Sequence, residues 1–390
     1  MVVQNLIVPR ALGAEHYGIL VSLTVWPNLM VGLAEPLVTA FLARARASNE
    51  PAARQRFRFA FRVIAVLTGV VTIASVFVAM SAASRYSGIT ALDMGLLATL
   101  SPLSFASLLF MAIRITGQGR AWAAAAYFFQ AIATLSCFEL PFAYGVRGAL
   151  LLFVVNQAVI LVSLLGGDWR TELLEARAAL CGGRIERGGR YPDIMSQMLA
   201  AISPRLMTIL LSIISVLIAS LTMKPADLGI FRVGVTIVNA AQYAVPINSA
   251  VLLAMFETTA DPQKRKRMAV HAISSAALVG VSVALLAMFG ATQIFGLILR
   301  HTESIGVRPF LLFASIPLYV IIAPVCSILI GARLERVVVR SFALALGAFI
   351  ITSILLNIEA AFVASCVFFL SPSAYAVWRY GLVSSSVLKT

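Results

Sequence analysis

Four charged residues lie inside long apolar runs of the sequence, and they are the side chains best placed to do chemistry. They are Glu35, Glu139, Arg205 and Arg232. A charge within a bilayer-spanning segment costs at least about 2.5–3.5 kcal/mol at mid-depth, so such a residue usually faces a cavity or a charged partner. In a wet cavity, a guanidinium can bind an oxyanion and a carboxylate can bind a proton or a metal cation.

The two arginines are candidates for binding an anionic group. Arg205 follows Pro204 about nine residues into its run, and this proline frees a backbone carbonyl and permits a kink. A guanidinium held there suits a diphosphate or an acidic sugar, because it binds oxyanions in a bidentate way. Arg232 lies nearer the outer end of its run, where it can reach interfacial water. The alternatives for Arg205 are snorkelling and a structural ion pair, and interfacial exposure is the alternative for Arg232.

The two glutamates are candidates for coupling binding to an ion gradient. Glu35 precedes Pro36 about eight residues from the inner end of its run, and it could exchange a proton or bind sodium. A structural partnership with an arginine is the alternative. Glu139 lies nearer the outer end of its run, and interfacial exposure is the alternative there.

Uncharged amides in the apolar runs could hydrogen-bond a sugar. Asn28, Asn239 and Gln242 are the main candidates, with Asn156 and Asn248 beside them. Hydrogen bonds between helices are the ordinary alternative. No metal site or cofactor is expected, because the three histidines are scattered near loops and no C-x-x-C pair occurs.

These residues must be positioned by membrane helices. The sequence is 61% hydrophobic and only 12% charged, against about 25% charged in an ordinary soluble domain. The apolar runs mostly exceed the roughly 18 residues needed to cross hydrocarbon, which excludes a β-barrel with its shorter alternating strands. The sequence therefore predicts an all-α polytopic membrane protein of about twelve transmembrane helices.

The first helix is expected to be truncated, since only Met1–Val8 precede Pro9, and a loop is expected over Ala11–Tyr17. Further spans are predicted on either side of a central polar stretch. They lie near 18–42, 60–83, 94–113, 121–144, 148–166, 197–222, 228–255, 269–294, 309–331, 341–357 and 360–378.

The basic residues predict the orientation. Of the 30 lysines and arginines, 22 fall in loops on one side of the predicted spans and six on the other, with Arg205 and Arg232 inside spans. Short cytoplasmic loops are rich in Lys and Arg, so both termini are expected in the cytoplasm. The net charge of +14 is then a matter of topology and contact with anionic lipid, and no nucleic-acid partner is expected.

Three parts of the chain follow from this pattern. Residues 1–166 are predicted to form an N-terminal six-helix bundle, and residues 197–390 a C-terminal one. Residues 167–196 are predicted to form a cytoplasmic linker, in which Trp169–Leu180 has the spacing of an amphipathic surface helix.

The two bundles carry an internal repeat. When the sequence is shifted by 211 residues, Gly18–Val70 aligns without a gap on Gly229–Val281, with 12 identities in 53 positions. The identities include Gly18 with Gly229 and Asn28 with Asn239, and both copies share an acidic-Pro-x-x-Arg-x-Arg loop. Because an even number of spans separates the copies, they predict parallel halves around a central cavity, a recurrent transporter design.

Short motifs at the start of each copy resemble a known family. Val8–Gly18 is similar to the first external loop of bacterial polysaccharide flippases, with its R-x-L-G-x-x-x-[FY]-G pattern, and Asp227–Phe231 resembles the matching loop of their second half. Asn49–Arg58 and Asp261–Arg267 resemble the basic loops that follow. This resemblance points to the polysaccharide branch of the multidrug/oligosaccharidyl-lipid/polysaccharide exporter superfamily.

The resemblance implies a transporter, not an enzyme, that flips undecaprenyl-diphosphate-linked oligosaccharide across the bacterial inner membrane by alternating access. Its expected partners are the lipid-linked glycan, the membrane, and the polymerase and assembly proteins of O-antigen or exopolysaccharide synthesis. Three alternatives stay open: a drug/cation antiporter of the same superfamily, a membrane-embedded glycan polymerase or ligase, and a scaffold protein that does not transport.

Overall fold

The computed structural model describes most of the chain as α-helix. It covers residues 2–36, 88–116, 120–166, 209–245, 261–299, 308–332 and 334–383, with isolated positions between 66 and 86, at 174 and between 252 and 259. The helices of the N-terminal part are α1 (Val2–Pro36), α2 (Ala91–Thr116), α3 (Arg120–Ser136) and α4 (Leu140–Leu164). After a π-helical segment, Leu210–Ile214, come α5 (Ser215–Thr222), α6 (Pro225–Tyr243), α7 (Pro262–Phe289), α8 (Ala291–Leu299), α9 (Arg308–Ala314), α10 (Ile316–Gly331), α11 (Glu335–Leu355) and α12 (Ile358–Val383).

Six stretches of helix in the described part of the chain are long and apolar enough to cross a membrane. They are Ala91–Leu108, Leu140–Leu164, Gln263–Phe289, Phe310–Gly331, Arg336–Leu355 and Ile358–Val377. Large apolar side chains on several of them are exposed, such as Leu286 and Phe289 on α7 and Ile354 on α11. Lipid is the solvent that such faces require. The predicted all-α polytopic membrane architecture is therefore confirmed.

The described chain divides into two compact units. Unit 1 contains residues 1–202 together with Ser220–Gly229, and unit 2 contains Ser203–Ala219 and residues 230–390. The segment Ser220–Gly229, which holds the last residues of α5 and the first of α6, belongs to unit 1. The predicted linker, residues 167–196, lies outside the described residues apart from Leu174.

In unit 1, α2 and α4 pack in parallel. Asp93, in the first turn of α2, pairs with Arg147, the eighth residue of α4. Near their last turns, the buried Arg114 donates through Nε to the carbonyl of Leu164 at 2.9 Å and through a second nitrogen to Gly166. These carbonyls have no partner within α4, so the guanidinium caps the helix where its dipole is negative.

Glycine breaks α1 at one residue, which corrects the loop expected over Ala11–Tyr17. The chain is helical from Val2 to Pro36, and only Gly13, with φ 71° and ψ 176°, departs from helical geometry. This region of φ and ψ is essentially restricted to glycine. The change of direction is therefore made by one residue, and Arg10 stands on the helix and not in a loop.

The boundary between α3 and α4 corrects the position of Glu139. The span expected over 121–144 ends at Ser136, a turn follows over Cys137–Glu139, and Glu139 is the exposed N-cap of α4. The cause is Pro141, because a proline lacks the amide hydrogen that a helix interior needs and is favoured in the first turn. Arg147, expected in a loop, consequently lies inside α4.

A glycine also breaks α4, and this break determines where the long straight section of the helix begins. Gly145 has φ 61° and ψ −135°, again a conformation that only glycine adopts readily. Beyond it Gly148 is buried, and a Cβ there would collide with the carbonyl of Leu140. The break brings Arg147 to the start of the straight part of α4.

In unit 2, α10 is the central helix. The membrane-length stretch Phe310–Gly331, formed by α9 and α10, is 67% buried, against 22% for the stretch in α11. Large side chains on α10 and its neighbours fill the interior, with Tyr319 and Phe362 in tilted contact at 5.9 Å between ring centroids. Where α7 crosses α10, a Cβ on Gly280 would approach Pro317 to 2.7 Å. Only glycine permits this close approach.

The basic residues of the second repeat lie on a helix and not in a loop. The loop expected over Asp261–Arg267 is the start of α7, whose N-cap is Asp261, with its carboxylate accepting the amide hydrogen of Gln263 at 2.9 Å. Pro262 occupies the first turn, as it does at other helix starts. The helix that covers most of the predicted span of 269–294 thus begins earlier, at Pro262, and its first two turns carry four cations.

The two copies of the repeat break their helices at equivalent positions. In the first copy the break is Gly13, and 211 residues later the chain leaves α5 and enters α6 across Met223 and Lys224. Within unit 1, the close contact between α1 and the start of α6 is reciprocal as well. A Cβ on Gly18 would collide with the carbonyl of Pro225, and a Cβ on Gly229 with the carbonyl of Ala14. Ala14 and Pro225 are also 211 residues apart, so the two contacts join repeat-equivalent residues.

Candidate functional site

A polar face runs along α6 through otherwise apolar surroundings in unit 2. Arg232, Thr236 and Asn239 follow one another at helical spacing, with Gln242 one turn further at its flank. Arg232, Asn239 and Gln242 are all half-buried. Three of the residues predicted to bind substrate therefore lie along a single helix.

Arg232 contacts an irregular piece of backbone. One nitrogen of its guanidinium donates to the carbonyl of Ser212 at 2.9 Å, and Ser212 lies in the π-helical segment Leu210–Ile214. A π-helical turn widens the helix and is often found at functional sites. A guanidinium carries several N–H donors, so this bond orients Arg232 while leaving hydrogen-bonding capacity for an anion.

Asn239 is fixed by the centre of unit 2. The hydroxyl of Tyr319 donates to its Oδ1 at 2.6 Å, and the side chain of Tyr319 is fully buried on α10. A buried tyrosine hydroxyl needs such a partner. The bond uses the amide oxygen and leaves the Nδ2 donors of Asn239, which suit the oxygen of a sugar hydroxyl.

The other predicted site residues lie in unit 1 or outside the described part of the chain. Asn28, which aligns with Asn239 in the repeat, is exposed on α1 in unit 1. Glu35 lies on α1 immediately before Pro36, and its side chain lies outside the described part. Arg205 and Asn248 also lie outside the described residues. Glu139 caps α4 from an exposed turn, so it does not stand within a span.

Unit 1 holds a charged network that the sequence did not reveal. Asp93 is only 4% exposed, and its Oδ1 accepts Nε of Arg147 at 2.9 Å. The hydroxyl of Thr90 donates to Oδ2 of Asp93 at 2.8 Å and accepts from Arg147 at 3.0 Å. The three side chains therefore satisfy one another at the start of α2 and of the long part of α4.

A local signal for half of this network was present. Thr90 and Asp93 have the Thr-x-x-acidic spacing of a capping box, and the amide of Thr90 donates to Asp93 at 2.8 Å. The other half was hidden, because Arg147 lies 54 residues further along the chain. Arg147 was expected in an outer loop.

Asn156 is buried with an unmatched amide. Its Oδ1 lies 3.2 Å from the hydroxyl of Thr134, and its Nδ2 has no hydrogen-bond partner among the described residues. That hydroxyl has one proton, which it also directs to the carbonyl of Gln130 at 2.9 Å. Turning the amide by 180° would let Nδ2 donate to Thr134, which satisfies both groups better. Asn156 is thus a contact between helices.

No group of three or more His, Cys, Asp or Glu side chains that could hold a metal ion occurs in the described ranges. Cys326 and Cys366 are buried free thiols, and Cys137 is partly buried. Their surroundings are those of small core residues.

The fold is shared with known transporters. A multidrug transporter of the MATE family and the MOP superfamily, in an inward-facing conformation, matches with a TM-score of 0.67 at 13% identity, over 99% of this chain and 94% of that one. The lipid II flippase MurJ, in an inward closed conformation, matches with a TM-score of 0.65 at 10% identity, over 96% and 84%. The MATE multidrug transporter DinF-BH matches with a TM-score of 0.52 at 14% identity, over 97% and 90%.

At these low identities, the structural similarity shows the fold alone. No family model matches the sequence. No curated protein matches it.

Proposed function

We propose that this chain is a transporter that flips undecaprenyl-diphosphate-linked oligosaccharide across the bacterial inner membrane by alternating access, for the synthesis of O-antigen or exopolysaccharide. The observation that carries the proposal is the polar face of α6, where Arg232 and Asn239 are held inside an apolar unit. A half-buried cation among apolar side chains is costly unless it has a polar partner or binds a ligand. The shared fold with a lipid II flippase supports the same class of substrate.

The proposed roles follow from the chemistry of each side chain. Arg232 and Arg205 bind the diphosphate, because guanidinium groups pair with phosphate oxygens in two parallel hydrogen bonds. Asn239, Gln242 and Asn28 bind the sugar hydroxyls. Glu35 carries the coupling ion, while the exposed position of Glu139 at a helix start favours a part in the outer opening over coupling within a span.

The chain works as a transporter and not as an enzyme. The partners we infer are the lipid-linked glycan and the polymerase and assembly proteins that consume it, and no nucleic acid is among them. The distribution of basic residues supports a cytoplasmic position for both termini.

A drug/cation antiporter is the second candidate. It is favoured by the shared fold with the two MATE transporters. The two candidates differ in what the binding site must do, because a cationic drug is repelled by arginine and a diphosphate is attracted. Arg232 therefore discriminates between them.

Replacing Arg232 by alanine is expected to reduce glycan flipping at least tenfold, because one well-placed charged hydrogen bond contributes about 1.5–3 kcal/mol. Arg232→Lys should recover only part of the rate, since an ammonium is a point charge and not a planar fork. The measurement uses proteoliposomes and a fluorescent undecaprenyl-diphosphate-linked saccharide, with flipping scored by protection from a membrane-impermeant quencher.

Lys224→Gln is the matched control, because it removes one exposed cation just before α6. It should flip at the wild-type rate. Full activity in Arg232→Ala would remove this residue from the site. Dye efflux that needs no glycan and survives in Arg232→Ala would favour the antiporter. An equal loss of folded protein in Arg232→Ala and Arg232→Lys would show that the bond to Ser212 is structural.

A cysteine placed in the predicted linker, at position 174, is expected to resist labelling by a membrane-impermeant maleimide in intact cells and to label after permeabilisation. The background uses a variant with the four native cysteines replaced. Efficient labelling from outside would overturn the predicted orientation.

A further inference from the structure

The first turns of α7 present two faces of opposite character. On one face, Ala269 and Ala272 pack against Leu252, Phe256 and Ile328. The other face is exposed and borders a cavity of about 540 Å³. Its described lining residues are Gln263, Lys266, Arg267, Val270, His271 and Ser274, which recur at helical spacing on one side of α7. The cavity is thus bordered by a cationic, hydrogen-bonding surface.

The cations in this cavity are available to a ligand. Arg265 is turned to the carbonyl of Thr259, and Asp261 binds the helix end through the amide of Gln263. Lys266 and Arg267 are exposed, and neither forms a salt bridge within the described residues. The amides at the start of α7 add partial positive charge. The potential around the cavity therefore favours an anion.

The same face of α7 becomes apolar further along the helix. Leu278, Val281 and Leu285 continue the line of Lys266 and Ser274, and they are 71%, 47% and 48% exposed. Phe289, at the end of this line, is 84% exposed. Ser274 to Phe289 spans roughly 22 Å of helix axis, which exceeds the roughly 15 Å of hydrocarbon in one leaflet. The face thus has cations at one end and one leaflet's depth of apolar surface beside them.

We propose that this face of α7 is a binding site for an anionic phospholipid, which is distinct from the polar face of α6. Lys266 and Arg267 hold the phosphate oxygens in the cavity, and His271, one turn deeper, contacts the glycerol ester region. The acyl chains lie along Leu278, Val281 and Leu285. Basic pockets of this kind, where apolar helix surface meets the interface, are suited to anionic headgroups. The charge pattern supports this occupant over a zwitterionic lipid.

The test is native mass spectrometry of the purified full chain in detergent, titrated with phosphatidylglycerol or with phosphatidylcholine of the same acyl composition. Wild type should bind phosphatidylglycerol at least tenfold more tightly. The double variant Lys266→Gln/Arg267→Gln should weaken phosphatidylglycerol binding about thirtyfold, because each basic residue near an anionic surface contributes about a factor of five. Both residues are exposed, so the thermal midpoint should not move.

The matched control is Lys264→Gln/Arg336→Gln, which removes the same charge from exposed positions that do not border the cavity. It should stay within a few-fold of wild type. An equal loss in the control would show attraction by overall charge and would overturn the site. Soluble pyrophosphate should fail to displace the lipid at millimolar concentration. Displacement at that concentration would identify a free-anion site in which the apolar face has no part.

Discussion

Alanine at Gly18 or at Gly229 is expected to destabilise the protein by about 2–3 kcal/mol, because each new Cβ would meet backbone and not a movable side chain. A carbonyl within a helix cannot withdraw without moving the helix. This loss is a large part of the net stability of about 5–15 kcal/mol typical of a folded protein. The thermal midpoint in detergent and the yield of monodisperse protein measure the effect.

Gly347→Ala is the matched control for both substitutions. It makes the same chemical change in α11, where an added Cβ would have nothing within 4 Å. Alanine has a higher helix propensity than glycine by about 1 kcal/mol. Gly347→Ala should therefore leave the midpoint unchanged or raise it. A midpoint that falls equally in all three variants would show that the close crossing is not the cause.

Because the contact between the two helices is reciprocal, substitutions at Gly18 and Gly229 should not be additive. Gly18 meets Pro225, and Gly229 meets the repeat-equivalent Ala14. Moving the two helices apart once relieves both collisions. The double variant Gly18→Ala/Gly229→Ala should consequently cost clearly less than the sum of the two single variants, as coupled neighbours do. Strict additivity would argue against one shared two-fold contact.

Removing Arg147 is expected to have the second-largest effect on stability. Asp93 is buried, and Arg147→Ala leaves its carboxylate without the compensating cation. Breaking a buried pair costs about 3–5 kcal/mol, and the half-exposed position of Arg147 places the expected loss below that range. The thermal midpoint in detergent should fall accordingly.

A double variant that removes both charges separates the effect of an unpaired buried charge from the loss of the pair itself. Asp93→Asn/Arg147→Gln replaces both charges with neutral hydrogen-bonding groups, so it should be more stable than Arg147→Ala. Arg340→Ala removes an exposed cation on α11 and should move the midpoint little. If Arg147→Ala behaves like Arg340→Ala, the network with Asp93 contributes nothing measurable to stability.

The positions of most helices followed from hydropathy, but several ends did not. Pro141 was expected inside a span and instead starts α4, and the cations from Lys264 to Arg267 were expected in a loop and instead lie on α7. Hydropathy reports which residues lie in hydrocarbon and not which are helical. A helix can extend beyond the hydrocarbon into the interface with its charges in water, so the apolar run is shorter than the helix.

By itself, the sequence determined that this is an all-α membrane protein, because only long apolar helices can satisfy their backbone within lipid. It also determined the repeat, since a repeat is a fixed shift along the sequence. Tertiary structure alone decided the pairing of Asp93 with Arg147, the bond of Arg232 to Ser212, and the contact of Gly18 with Pro225. Each depends on how separate helices approach in space. That approach is fixed by packing at single atoms, such as the missing Cβ of a glycine, and local sequence does not specify it.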